Sequence, residues 1–126
     1  MTEILLLLIA FILLIILLPV VIIYMFLKYL LTGKKRMITV WACKTARSID
    51  VFANVEASEL FNDTLIKSGG YKFGNRQETI SSVLGKNQVS DTLTQLGNAL
   101  RIILDCIEPG HCVSSINHDL TNTTKQ

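Results

Sequence analysis

The sequence predicts an all-α protein, with one N-terminal transmembrane helix followed by a small helical domain in the cytoplasm. Three observations predict this fold. An uncharged run of 24 residues, from Ile4 to Leu27, stands near the start of the 126-residue chain. Beyond it, apolar residues recur at steps of three and four, which is the period of an α-helix. Gly69-Gly70 and Pro109-Gly110 then separate helical segments from one another.

Residues 1–31 are predicted to form the membrane anchor. A helix of 24 residues is about 36 Å long, which exceeds the roughly 30 Å of a bilayer's hydrocarbon core. A cleaved signal peptide would have a basic start, a shorter apolar segment and a small-residue cleavage site. Here Glu3 is the only charged side chain before the run. We therefore expect a retained span, with Pro19 bending the helix.

Basic residues cluster after the span and determine its predicted orientation. The segment from Lys28 to Arg47 holds six basic residues and no acidic one, namely Lys28, Lys34, Lys35, Arg36, Lys44 and Arg47. The positive-inside rule then gives a single-pass protein of the cell inner membrane, with its N-terminus outside and its C-terminus cytoplasmic. We expect Lys34, Lys35, Arg36 and Trp41 to lie at the lipid headgroups. No base-reading element accompanies this charge, so nucleic acid is not an expected partner.

The domain is predicted to span residues 32–118 and to begin with an amphipathic helix over about residues 37–67. The part from Glu56 to Lys67 either continues the helix that starts near Met37 or follows it closely. Ile38, Trp41, Thr45, Ile49 and Phe52 share one face at helical spacing. This face suits either the bilayer interface or the core of a small helical bundle. A loop is expected to follow over residues 68–75.

Three further helices are predicted over about residues 76–84, 91–107 and 112–118, with a disordered tail over residues 119–126. Asn75 and Glu78 have the spacing of a capping box, and Gly85 is expected to end the helix that they begin. Ser90 or Asp91 is expected to cap the next helix.

The three cysteines, Cys43, Cys106 and Cys112, are expected to be free thiols, because the cytoplasm is reducing and their number is odd. Zinc binding by these cysteines and His111 is conceivable, but the short paired spacings of zinc sites are missing. Thiol catalysis by Cys112 would need His111 or His118 as a base, and neither is well placed for it. We therefore predict no catalytic residue, metal or cofactor, and a structural role for Cys112.

Several short motifs follow one another in the order found in a group of small phage-encoded and prophage-encoded proteins. Over residues 49–116 the chain resembles these uncharacterised proteins, which have an Asp-x3-Asn helix, a Gly-Gly loop, an ETISS segment and a C-terminal HC motif. It departs from them in a longer stretch before the Gly-Gly loop and in a more pronounced anchor. The resemblance implies phage origin and a compact helical domain, and it implies no reaction. We expect structural roles, mainly hydrogen bonds between elements, for the matching residues Asp50, Asn54, Glu78, Ser81, Ser82, His111 and Cys112.

The sequence thus predicts a non-enzymatic, single-span inner-membrane protein of phage or prophage type that acts by protein–protein interaction at the cytoplasmic membrane face. Its expected partners are the lipid bilayer and either further copies of itself or a host or phage membrane protein. A domain of roughly 80–90 residues can bury only a limited core, which favours self-association. The alternative is a holin-like lysis or membrane-permeabilising protein that acts by oligomerisation of its span. A thiol-dependent or metal-dependent enzyme is a third interpretation.

Overall fold

The structure, a computed structural model, describes residues 1–120 and confirms the all-α fold. Its helices are α1 (Thr2–Leu31), α2 (Lys35–Glu56), α3 (Ser58–Thr64), α4 (Ile80–Val89), α5 (Gln95–Ile107) and α6 (His111–Ser114), followed by a 3₁₀ turn, His118–Leu120. Within residues 1–120 there is no strand, and a single isolated bridge pairs Ile66 with Leu93. The chain forms two compact units, Met1–Thr45 (unit 1) and a second from Ala46 onward (unit 2), and the division falls within α2.

Helix α1 is long and apolar enough to span a membrane. It has 30 residues, none of them buried, and it continues as a helix through Pro19. Such a helix near an N-terminus has the length and composition of a membrane span and also those of a signal sequence. Its C-terminal end is closed by Thr32, whose hydroxyl donates to the Lys28 carbonyl at 2.7 Å, and by Gly33 with a positive φ of 69°.

The predicted single helix over residues 37–67 is wrong, and the alternative of a second helix that closely follows the first is confirmed. Helix α2 starts at Lys35, and the backbone leaves it at Ala57, where α3 begins after one residue. Leu65 and Ile66 are not helical, since they leave α3 to enter the core. Their backbones bind the segment before α5 instead, where the Thr94 amide donates to the Leu65 carbonyl at 3.0 Å. Burial of two large apolar side chains thus outweighs the local helical pattern.

The loop predicted over residues 68–75 extends from Leu65 to Thr79, and the helix predicted over residues 76–84 is instead α4, Ile80–Val89. The expected capping box is wrong. The side chain of Thr79 caps α4 by accepting from the Ser82 amide at 3.1 Å, while Asn75 accepts from the Gln77 amide in the preceding turn. Gly85 does not end the helix, because α4 continues for four more residues.

The remaining boundaries also differ from those predicted. Helix α5 starts at Gln95 rather than at residue 91, because Thr94 is its cap and accepts from the Gly97 amide at 3.1 Å, where Ser90 or Asp91 was expected. Helix α6 covers residues 111–114, so it starts one residue before the predicted helix 112–118 and ends four residues earlier. The predicted disordered tail is wrong at residues 119 and 120, which lie in the 3₁₀ turn, and its remainder, residues 121–126, lies outside the described residues.

Helix α4 is the centre of unit 2. Its residues from Ser81 to Asn87 are all buried, and it packs against α5 and α6. The apolar core is small and consists of Leu65, Ile66, Phe73, Val83, Leu84, Leu93 and Cys112. Buried polar side chains are nearly as numerous in this part of the chain, namely Asn54, Glu78, Ser81, Ser82, Lys86 and Asn87. The interior of unit 2 therefore depends on polar interactions as well as on hydrophobic burial.

Candidate functional site

A buried ion pair lies at the centre of unit 2. The ammonium nitrogen of Lys86 is 2.5 Å from Oε1 of Glu78, and the two side chains are 6% and 0% exposed. Glu78 precedes α4 by two residues and Lys86 lies in its last turns, so the chain brings them together along one side of the helix. Charges this deeply buried persist only when each has a partner.

Two hydroxyl groups also donate hydrogen bonds to the carboxylate of this ion pair. Ser82 donates to Oε1 of Glu78 at 2.8 Å, and the Tyr71 hydroxyl donates to Oε2 at 2.7 Å. The Lys86 ammonium also lies 4.2 Å from the centre of the Tyr71 ring, within the range of a cation–π interaction. Burial, together with the hydrogen bond to Glu78, raises the pKa of Tyr71 to about 12. The phenol therefore stays protonated at neutral pH and keeps donating to the carboxylate.

Asp50 and Asn54 of α2 hold the segment that leads into α4. Asn54 is completely buried, and its amide nitrogen donates to the carbonyls of Asn75 at 2.9 Å and Glu78 at 2.8 Å. Asp50 accepts from the Ile80 amide at 2.9 Å. These bonds satisfy backbone groups in an irregular segment that has no secondary-structure partner for them. The Asp-x3-Asn motif therefore fixes where α4 begins.

Asn87, near the other end of α4, likewise binds the backbone of an irregular segment. Its side-chain oxygen accepts from the Tyr71 amide at 2.8 Å and from the Thr92 hydroxyl at 2.6 Å. Its nitrogen donates to the carbonyls of Tyr71 at 2.7 Å and Val83 at 2.9 Å. One buried side chain thus joins α4 to the segments before and after it.

The HC motif places its two residues in different environments. Cys112 is completely buried in the core, whereas His111 is partly exposed and its Nδ1 lies 2.8 Å from Oε2 of Glu108. Burial, with the nearby carboxylate of Asp105, raises the pKa of Cys112 to about 11. A buried, protonated thiol is a poor nucleophile at neutral pH. Cys112 acts as a small apolar side chain between helices.

The candidate zinc ligands do not form a metal site. All three cysteines are free, with Cys43 and Cys106 exposed and Cys112 buried. In the described part of the chain, no group of three or more His, Cys, Asp or Glu residues could hold a metal ion. Cys43 belongs to unit 1, whereas Cys106, His111 and Cys112 belong to unit 2.

Helices α2 and α5 each expose several apolar side chains, whereas α3, α4 and α6 expose single large ones, Leu60, Val89 and Val113. Helix α2 turns Asp50 and Asn54 inward and leaves Ile49 and Phe52 exposed, so, of the two interpretations of this stripe, the core of a bundle does not hold at these two positions. Helix α5 exposes Leu96, Ala99, Ile102, Ile103, Cys106 and Ile107, which we call the α5 face. The remaining residues predicted to contact the membrane lie in α1 or near the start of α2, where Lys34, Lys35 and Arg36 are exposed and Trp41 is partly buried.

An open groove of about 550 Å³ lies beside the Gly-Gly loop and is lined by Gly69, Gly70, Tyr71, Lys72, Ser90 and Thr92. The buried carboxylate of Glu78 and the ammonium of Lys86 do not line it. The buried polar side chains of unit 2 therefore bind other groups within unit 2 rather than facing the groove. This arrangement is typical of side chains that stabilise a fold.

Comparison with known proteins adds no relative, since no family model, curated protein or solved structure matches this chain. Sequence reasoning singled out Glu78, Ser81 and Ser82, and all three are buried at α4. It missed Tyr71 and Lys86, which contact Glu78, and Asn87, which binds Tyr71, Val83 and Thr92. A signal for one of them was present, because Glu78, Ser82 and Lys86 are spaced by four residues, which aligns them on one side of a helix.

We expect Asp50→Asn to stabilise the domain at neutral pH and to lose that benefit in acid. Partial burial raises the pKa of Asp50 above its ordinary value of 3.8, against smaller opposing effects of the Ile80 amide and His111. Below its unfolded-state pKa, such a carboxyl is protonated in both states and does not destabilise the fold. As the pH rises through the raised folded-state pKa, the ionised carboxylate lowers the free energy of unfolding. Asparagine removes the charge and keeps an acceptor for Ile80.

Urea unfolding of both proteins in detergent, at about pH 3 and pH 7, tests this expectation on either side of the ordinary aspartate pKa. Asn54→Asp is the matched control, since it adds a charge at a completely buried position of the same helix and should destabilise most at neutral pH. An equal gain from Asp50→Asn at both pH values would contradict the expectation.

Proposed function

We propose that this chain is a single-span inner-membrane protein of phage or prophage type that acts by protein–protein interaction through a cytoplasmic helical domain. The observation that carries the proposal is α1, a helix of 30 residues without a buried side chain. Leaving so many large aliphatic side chains in water would be unfavourable, whereas a bilayer accommodates them. The basic cluster after α1 supports an N-terminus outside and a C-terminus inside.

The arrangement of unit 2 supports an interaction role rather than catalysis. Four of its nucleophilic and charged side chains, Ser82, Cys112, Glu78 and Lys86, are buried and contact one another or the core. The features that it exposes are apolar helix faces, which are typical of surfaces that bind other molecules.

Reporter fusions at Gln126 should be active only with a cytoplasmic reporter, because the cluster from Lys28 to Arg47 resists translocation. Replacing Lys34, Lys35 and Arg36 together by glutamate tests whether the basic cluster determines the orientation. This change should lower the cytoplasmic signal. Carbonate extraction of membranes should leave the intact chain in the pellet, at its full mass. A periplasmic signal at Gln126, or a chain shortened by removal of α1, would contradict the proposal.

Membrane permeability separates the proposal from the holin-like alternative. Timed expression with a dye that enters only permeabilised cells should give no abrupt entry if unit 2 acts by binding a partner. Sudden dye entry that persists when unit 2 is deleted would favour permeabilisation by the span.

A further inference from the structure

The side of α2 that faces away from the start of α4 is apolar. Asp50 and Asn54, on the inward side, bind the backbone at the start of α4. Ile49 and Phe52 lie on average about 150° round the helix from them, and their side chains are 49% and 51% exposed. Three more residues stand in line with Ile49 and Phe52 at steps of three and four. We call this line the α2 stripe, which consists of Ile38, Trp41, Thr45, Ile49 and Phe52.

Basic residues border the α2 stripe on both sides. Lys35 and Lys44 lie about 80° and about 100° from its centre, in opposite directions round the helix. The two acidic residues of α2 are Asp50, on the inward side, and Glu56, the last residue of the helix. A helix that lies on a bilayer has this combination of an apolar face, a tryptophan and flanking lysines, whereas the α5 face carries no charge. The charges beside the α2 stripe are therefore complementary to anionic lipid.

The chain keeps the start of α2 close to the end of α1. Helix α1 ends at Leu31 and α2 begins at Lys35, so the two Cα atoms are at most about 14 Å apart. The connection is also tight, because the Lys34 amide donates back to the Tyr29 carbonyl at 3.0 Å. If α1 spans the bilayer as proposed, α2 must begin among the lipid headgroups. Lipid is then the surface closest to the first turns of the α2 stripe.

We propose that α2 lies along the surface of the membrane that α1 spans, with the α2 stripe in the headgroup layer and Lys35 and Lys44 at anionic phospholipids. The inference rests on the proposed function, and it names anionic lipid as the ligand of α2. Phe52 distinguishes this arrangement from a helix that leaves the surface. It lies 17 residues beyond Lys35, which is about 26 Å along the helix. A helix that leaves the surface carries Phe52 out of reach of lipid, whereas a helix on the surface keeps it at the depth of Trp41.

Tryptophan fluorescence tests the depth of the α2 stripe, because Trp41 is the one tryptophan of the chain. The full-length chain is placed, one copy per nanodisc, in phosphatidylcholine and phosphatidylglycerol with brominated acyl chains, which quench a tryptophan that contacts them. Trp41 should be quenched. In a Trp41→Phe background, Phe52→Trp should be quenched to a similar extent. Cys43→Trp in that background is the matched control and should be quenched less, since Cys43 is exposed about 160° round α2 from Trp41.

The charge of Lys44 tests the part played by anionic lipid. Lys44→Gln should lower the ratio of quenched to unquenched lifetime components of Phe52→Trp by about fivefold, the effect of one basic side chain near an anionic surface. Nanodiscs of phosphatidylcholine alone should lower this ratio further. Lys72→Gln, at an exposed lysine outside α2, is the matched control and should leave the ratio unchanged. Protection of the buried Cys112 from alkylation shows that each variant is folded.

The outcomes separate lipid from other occupants of the α2 stripe. Quenching of Phe52→Trp that matches Trp41 and falls in neutral lipid supports the proposal. Equal quenching in neutral and anionic nanodiscs overturns anionic lipid as the ligand. Absence of quenching overturns the docking of α2 and leaves the α2 stripe to a protein partner. Phe11→Trp in α1 reports on the span: if it alone is quenched, only this inference fails, and if neither probe is quenched, the proposed function fails as well.

Discussion

Lys86→Met should lower the free energy of unfolding of unit 2 by roughly 3–5 kcal/mol, because it leaves the carboxylate of Glu78 buried without its counter-charge. Ser82 and Tyr71 would still donate to that carboxylate, but neutral donors do not replace a cation at 2.5 Å. Small domains are stable by only about 5–15 kcal/mol in total. The variant should therefore be close to unfolding under ordinary conditions.

The measurement uses Cys112 as a reporter that lies inside the core. With Cys43 and Cys106 replaced by serine, alkylation of Cys112 during a urea titration in detergent follows the opening of unit 2. Lys72→Met makes the same chemical change at an exposed lysine and should stay within about 0.5 kcal/mol of the parent. Glu78→Gln combined with Lys86→Met should recover part of the loss, since both charges are then absent. A loss below about 1 kcal/mol for Lys86→Met would show that the pair is not a structural requirement.

The fold class could be predicted because it depends on periodicity, and periodicity is local. The apolar run of α1 and the three- and four-residue steps in α5 need no knowledge of the partner surface. Helix boundaries in unit 2 could not be predicted in the same way. Leu65 and Ile66 continue a helical pattern, yet the core draws them out of α3, and only the position of the segment before α5 explains this.

The buried hydrogen-bond network of unit 2 could be predicted only in part, because many of its partners are distant in the sequence. Asp50 and Asn54 share a helix face, but the backbone groups that they bind lie more than 20 residues away. Glu78 matches a local capping signal, and the competing role, pairing with Lys86, outweighs it once α4 is packed. The sequence also could not predict which face of α2 packs against the domain. A helical pattern shows which residues share a face, but it does not show which face is covered.

Gly85→Ala should lower the free energy of unfolding by about 3 kcal/mol, although alanine is the better helix former. In an open helix the same change would stabilise by roughly 1 kcal/mol. Here a Cβ on Gly85 would overlap the backbone carbonyl of Cys112 and come within 2.9 Å of the Ile116 side chain. Backbone cannot move aside as a flexible side chain does, so α6 would have to separate from α4. The glycine that resembles a helix stop is thus required for the close approach of α6 to α4.

Urea titration with the Cys112 reporter, together with the near-ultraviolet circular dichroism of the tyrosines, measures this change. Val89→Ala in the same helix is the matched control, because the Val89 side chain is 70% exposed, and its effect should stay within about 0.5 kcal/mol. Gly97→Ala should behave like Gly85→Ala, since its Cβ would overlap the Leu65 carbonyl. Stabilisation by Gly85→Ala would mean that α6 does not approach α4 in solution. Loss in both glycine variants but not in Val89→Ala would show that the stability of unit 2 depends on the close backbone approach at these two helices.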